Sequence, residues 1–113
     1  ARAIPLLFVL VEREPTNAHY RGLLAKAMFR HPTMRKSAGR HFQEAIRLAP
    51  NNSDYHLWLG LYCKTFGLGS RAVVEFRTAL ELDPNNQMAK KHLLKDTDPA
   101  GYIPNPFRKM SIH

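Results

Sequence analysis

Apolar side chains recur through the middle of the chain at three- and four-residue steps, the spacing of helices that bury one face. Between Ser53 and Asn86, Leu59, Gly60 and Cys63 share one face of a first predicted helix, Ser53 to Thr65. Ala72, Phe76, Ala79 and Leu80 share one face of a second, about Ser70 to Leu82. Gly67 and Gly69 punctuate the turn between them, and Asp83-Pro84-Asn85-Asn86 stops the second helix. Ser53 and Ser70 are the expected N-caps, because a hydroxyl there accepts an otherwise unpaired backbone N–H.

This hairpin pattern has an upstream copy. Ala38, Phe42, Ala45 and Pro50 return as Ala72, Phe76, Ala79 and Pro84, each 34 residues later (72−38, 76−42, 79−45, 84−50). Tyr20, Leu24, Ala25 and Met28 return as Tyr55, Leu59, Gly60 and Cys63, each 35 residues later (55−20, 59−24, 60−25, 63−28). The extra residue falls in the turn His31 to Lys36, where a loop absorbs it cheaply. Asn17 caps the predicted helix Ala18 to Arg30, His31-Pro32 ends it, and the next helix runs from near Ser37 to Leu48. Ala3, Leu7, Leu10 and Pro15 precede Ala38, Phe42, Ala45 and Pro50 by 35 (38−3, 42−7, 45−10, 50−15), so the chain opens on half of a unit. Proline is tolerated only in a first helical turn, so this helix is expected to start near Pro5, with Ala3 outside it. Asn86 to Lys95 begins a third unit, since Leu93 follows Leu59 by 34 (93−59). From Asp96 the period is lost; two readings compete, a flexible tail or an extended strap pinned on the last helices, and the strap is favoured because it would cover Tyr102, Ile103 and Phe107.

A period near 34 with small and bulky apolar residues in this order resembles the tetratricopeptide repeat (TPR) family. Leu59-Gly60, Ala72, Phe76, Ala79 and Pro84 fit its pattern, as do Ala25, Ala38, Phe42, Ala45 and Pro50 upstream. Two places depart from it: His56 holds the family's Trp position while Trp58 stands two places later, and Cys63 replaces an aromatic. The resemblance implies an all-α, right-handed superhelix of antiparallel helix pairs, with two full repeats and a partial unit at each end. The repeat domain would span residues 1–95, followed by a tail over 96–113. The implied function is non-catalytic protein–protein interaction, as a scaffold or adaptor that holds a partner segment in a concave groove. By alignment the groove takes His19, Gly22, Lys26, Phe29 and Arg30 from the first unit and Asp54, Leu57, Leu61, Lys64 and Thr65 from the second. The last helix adds Met88, Lys91 and Lys95. An apolar floor (Phe29, Leu57, Leu61, Met88) between basic walls (Lys26, Arg30, Lys64, Lys91, Lys95) suits an extended or helical segment with acidic and apolar side chains. The asparagines with which some family members clamp a chaperone's C-terminal carboxylate are missing, since Gly22, Lys26, Trp58, Met88 and His92 hold the matching places.

Charge adds an alternative partner. The net charge of +8, from 17 Lys and Arg against 9 Asp and Glu, favours anionic partners, so RNA or DNA is the second reading. Basic residues concentrate at Arg35, Lys36 and Arg40 and at Lys90, Lys91 and Lys95, but no run interleaves them with aromatics as a stacking platform does. The six histidines include no i,i+4 pair, and the chain has neither a phosphate-binding glycine loop nor a nucleophile elbow, so no metal, cofactor or enzymatic activity is expected. The longest apolar run, Ile4 to Val11, contains Pro5 and is far shorter than the roughly 20 residues of a membrane span. The single cysteine, Cys63, lies on the packed face and has no partner for an internal disulfide, which suits the reducing cytoplasm. The chain begins with Ala, as expected of a piece of a longer protein, and Leu6, Phe8 and Val9 are a candidate cut face for self-association.

Overall fold

The computed structural model describes residues 3–96, with side chains through Leu94; the proposed strap at Tyr102, Ile103 and Phe107 lies outside the described residues. Within them the chain is all-helical: α1 (Ala3–Arg13), α2 (Ala18–Arg30), α3 (Ala38–Leu48), α4 (Ser53–Thr65), α5 (Gly69–Leu82) and α6 (Gln87–Asp96), with a short 3-10 turn at Arg35–Ser37 before α3. Each helix packs on its neighbours in the sequence, most extensively within the pairs α2–α3 and α4–α5, and the array is elongated, 52 × 27 × 18 Å.

The repeated positions are the buried ones. Phe42 and Phe76 are fully buried, as are Ala38, Ala45 and Ala79, and Ala72 nearly so. Leu24, Ala25 and Met28 in α2 match Leu59, Gly60 and Cys63 in α4, and all six are buried. Gly60 shows why one of these must be small: a Cβ there would stand 2.6 Å from Cε1 of Phe76. Burying each phenyl ring contributes roughly 1.5–3 kcal/mol, so the two rings carry much of what a domain this small can gather. Contacts along α4 and α5 run in opposite directions: the Ser53 hydroxyl donates to Ala79 O at 2.7 Å, His56 meets Glu75, and Leu68 N donates back to Cys63 O at 2.8 Å. The pair is therefore antiparallel, turned at Gly67, whose φ of +76° is costly for any residue with a Cβ.

Stacking of one hairpin on the other uses two tyrosines of α4. Tyr55 lies on Gly22 of α2, where a Cβ would come within 2.6 Å of its ring, and its hydroxyl donates to Ala18 O at 3.2 Å. Two turns on, Tyr62 lies on Gly39 of α3, where a Cβ would come within 2.5 Å, and donates to Lys36 O at 2.6 Å. Each ring fills a notch that a missing side chain leaves, and each hydroxyl donates to a carbonyl near a helix start.

A polar pair recurs at one matched place in both hairpins. Arg21 of α2 reaches His41 of α3 at 3.2 Å, and His56 of α4 reaches Glu75 of α5 at 3.0 Å. His56 also places Nε2 3.2 Å from Pro50 O. Arg71 Nε donates to the second oxygen of the buried Glu75 at 2.9 Å.

Three helix starts depart from expectation. Ala3 is helical, so α1 begins earlier than expected, and Pro5 still falls in its first turn, where no N–H is required. Asn52, not Ser53, caps α4, accepting from the N–H groups of Asp54 and Tyr55 while the Ser53 hydroxyl is committed to Ala79. The start of α5 is Gly69, after Leu68, with no side-chain cap, so Ser70 lies inside the helix. Asn17 caps α2 as expected, accepting from Tyr20 N at 3.1 Å.

Two substitutions test the packing by urea denaturation. Phe76→Ala should cost about 3–5 kcal/mol. Gly22→Val should cost about 1–3 kcal/mol by driving Tyr55 off α2, although Val is the better helix former. A neutral or stabilising Gly22→Val would mean that the notch does not hold the hairpins together.

Candidate functional site

The first helices of the two hairpins, α2 and α4, run side by side, and their shared surface gathers aromatic rings under cations. Trp58 and Tyr62 on α4 and Phe66 just past its end stand four residues apart, an aromatic stripe on one side of the helix. Phe29 of α2 packs edge-on to Trp58 at 6.3 Å between ring centroids and lies 6.1 Å from both Tyr62 and Phe42. Phe42 also stacks on Trp58 at 6.3 Å with 14° between the planes, tying the cluster to the buried core. Tyr62 and Phe66 continue it at 4.8 Å.

Lys26 Nζ and the Arg30 guanidinium each lie 5.4 Å from the centre of the Trp58 ring, and Arg35 lies 5.9 Å from that of Phe29. Such contacts are worth about 0.5–1 kcal/mol at exposed sites, enough to orient a cation. Arg35 is fixed further by donating from Nε to Phe29 O at 2.8 Å. Lys26 forms an ion pair with Asp54 at 2.8 Å, bridging α2 and α4 across a partly exposed surface. Three cations therefore face one carboxylate, and the surface keeps a positive balance after its internal pair is made.

The residues expected in a groove separate into three groups. Lys26, Phe29, Arg30 and Asp54 come together around Trp58, with Leu61 half-buried against the core beside them. Leu57 does not contribute an open floor: it is 4% exposed and belongs to the core, and Gly22 lies beneath the Tyr55 ring. His19 is exposed two turns before Lys26 on α2, and Lys64 and Thr65 are exposed at the end of α4. Met88 and Lys91 are exposed on α6, which packs on α5, and the side chain of Lys95 lies outside the described residues. Trp58, Tyr62, Phe66 and Arg35 are the residues that the expected groove left out. The four-residue aromatic spacing in α4 was the available signal for the first three, whereas Arg35 joins only through the fold of its turn.

Other chemistry is sparse in the described residues. No group of three His, Cys, Asp or Glu side chains there could hold a metal ion, and no helix is long and apolar enough to cross a membrane. Cys63 is buried and its thiol is pushed up by that burial, away from the reactive thiolate. Between α2 and α3, His41 is buried beside Arg21 and Arg40, and burial together with these two cations lowers its pKa from 6.5 to about 4.

No protein-family model matches the chain, and no curated protein matches it.

The His41 environment gives stability a defined pH dependence. The unfolded chain takes up a proton at this residue as pH falls through 6.5, whereas the folded chain stays neutral until about 4. Stability from this group is therefore complete above 6.5 and is lost as pH falls toward 4. With Phe8 of α1 also packed edge-on to the ring, solvent reaches it poorly. Discounted for partial screening, the loss between pH 7 and 5 should be on the order of 1–2 kcal/mol. Urea midpoints measured across this range should fall less steeply for His41→Leu than for the native chain. Parallel slopes would remove His41 as the source.

Proposed function

We propose that this chain is a tetratricopeptide-like interaction module that holds a segment of another protein, one with acidic and apolar side chains, against the surface shared by α2 and α4. On this reading the helix pairs follow the family's right-handed superhelical course, and the module serves as a scaffold or adaptor without catalytic activity. The observation that carries the proposal is the Trp58 cluster, where Lys26 and Arg30 sit over one indole ring at the junction of the two hairpins. Phe66, exposed at the edge of the cluster, supplies apolar contact, and Arg30 and Arg35 supply forked donors for carboxylates. Aromatic and arginine side chains are also the residues that most often dominate binding energy at protein interfaces.

The excess of cations favours nucleic acid as the second reading, with Trp58 and Tyr62 as stacking rings. Trp58 is a poor platform for a base, however, because Phe42 stacks on it and two cations lie over it.

Fluorescence anisotropy separates the two. A fluorescein-labelled peptide alternating Glu and Leu should bind the native chain, and Arg30→Glu with Arg35→Glu should weaken it by about tenfold or more, equivalent to about 1.4 kcal/mol. A labelled oligothymidine should bind more weakly than the peptide at physiological salt. Tight oligothymidine binding with a steep salt dependence, together with no peptide binding, would replace the protein partner with a nucleic acid.

A further inference from the structure

The internal repeat shows which exposed places on α1 and α2 have counterparts that another helix covers elsewhere in the chain. In the two complete hairpins, one place on the second helix faces the first helix of the same hairpin: His41 meets Arg21, and Glu75 meets His56. The corresponding residue of α1 is Leu6 (41−35), which is 60% exposed, with Val9 one turn on at 42%. A second helix carries the same imprint. Trp58 of α4 is covered by Lys26, Phe29 and Arg30 of the preceding first helix; its counterpart in α2 is Leu23 (58−35), 37% exposed. A third residue agrees with them. Tyr55 lies on Gly22 and donates to Ala18 O of the preceding first helix, and its counterpart Tyr20 (55−35) occupies the matching place on α2. Apolar side chains on two helices are thus exposed at the places that the preceding first helix covers one unit later.

We infer that α1 and α2 together form a docking slot for one amphipathic helix, lying antiparallel to α1 and parallel to α2, as α4 lies to α5 and α2. The chemistry of that helix follows from the slot. Opposite Leu6 it carries an aliphatic side chain, because the polar pair of the other hairpins is replaced here by leucine. Near its start it carries a glycine, the notch that Gly22 offers Tyr55, so that Tyr20 can lie flat on it and donate to a backbone carbonyl. Its face toward Leu23 is apolar or the alkyl stem of a long cation, as Lys26 and Arg30 are toward Trp58. This slot is separate from the Trp58 surface and stands whether or not that surface binds a peptide. A second copy of the chain is a poor occupant, because α2 and α4 are already packed into their own hairpins and α6 places Lys90 (56+34) where an aliphatic side chain is needed.

The chain itself supplies a probe. A fluorescein-labelled peptide of residues 17–31 carrying Arg21→Leu contains Gly22 at the notch and leucine opposite Leu6. It should bind the full chain saturably. Leu6→Asp with Leu23→Asp in the chain, or Gly22→Val in the peptide, should each weaken binding about tenfold or more, whereas Arg30→Glu in the chain should leave it unchanged. Both leucines are solvent-facing, and circular dichroism verifies that the double variant folds; Leu6→Ala is the milder alternative. Because a short peptide is a weak helix by itself, the same peptide is also joined to Ala1 through a glycine-serine linker, which raises its local concentration to about the millimolar range. The fusion should raise the urea midpoint, and Leu6→Asp should abolish the rise. Absence of both free-peptide binding and a fusion shift, or effects that survive Leu6→Asp, overturns the slot. Concentration-dependent dimerisation lost in Leu6→Asp would assign it to a second copy and overturn the helix-in-slot assignment.

Discussion

Two tyrosine rings resting on two glycines hold the hairpins together. Tyr55 on Gly22 and Tyr62 on Gly39 are spaced two turns apart along α4, so they fix both the distance between hairpins and their register. Neither contact survives a one-residue slip, which would swing each ring about 100° around the helix. The hydroxyls add direction, since each donates to one backbone carbonyl near a helix start, Ala18 O and Lys36 O. Within each hairpin a buried phenylalanine does the complementary work, filling the space that alanines and glycine leave open. Large side chains thus act as spacers, and small ones determine where the spacers fit.

The Trp58 surface follows from that register. With Tyr62 seated on α3, the same face of α4 brings Trp58 over Phe42 and beside Phe29. Lys26 and Arg30 of α2, one turn apart, then fall over the indole, and the Lys26–Asp54 pair closes the seam. A surface pair of this kind contributes only about 0–1 kcal/mol, so it orients Lys26 more than it stabilises the array. The energy lies in the buried rings, and the charge lies over the faces of Trp58 and Phe29.

Helix positions and faces were legible in the sequence because apolar periodicity and a 34-residue repeat report the same buried stripe twice. Phe42, Phe76 and Leu93 are buried where that stripe places them. Caps were less legible. Asn52-Ser53 offers two side chains able to cap α4, and only the packing of α5, which takes the Ser53 hydroxyl, leaves the role to Asn52. Pro5 was weighted as a helix start although any first-turn position accommodates it, and α1 already includes Ala3. The candidate site was half legible. Alignment selected Lys26, Phe29, Arg30 and Asp54, but it also placed Leu57 at the surface, where the core takes it. The combination of cation and aromatic was invisible along the chain because Lys26, Arg30 and Trp58 belong to different helices. Only the stacking of hairpins makes them neighbours.

Trp58 is the chain's one tryptophan, and it stands at the junction of the two hairpins. Its emission during urea unfolding, compared with the helical signal in circular dichroism, tests most directly whether the seated tyrosines join the hairpins into one unit. Coincident transitions are the predicted result, because the indole loses Phe42 and its cations only when the array comes apart. An early shift of Trp58 emission, with the helical signal still intact, would show the hairpins separating on their own and would contradict this account.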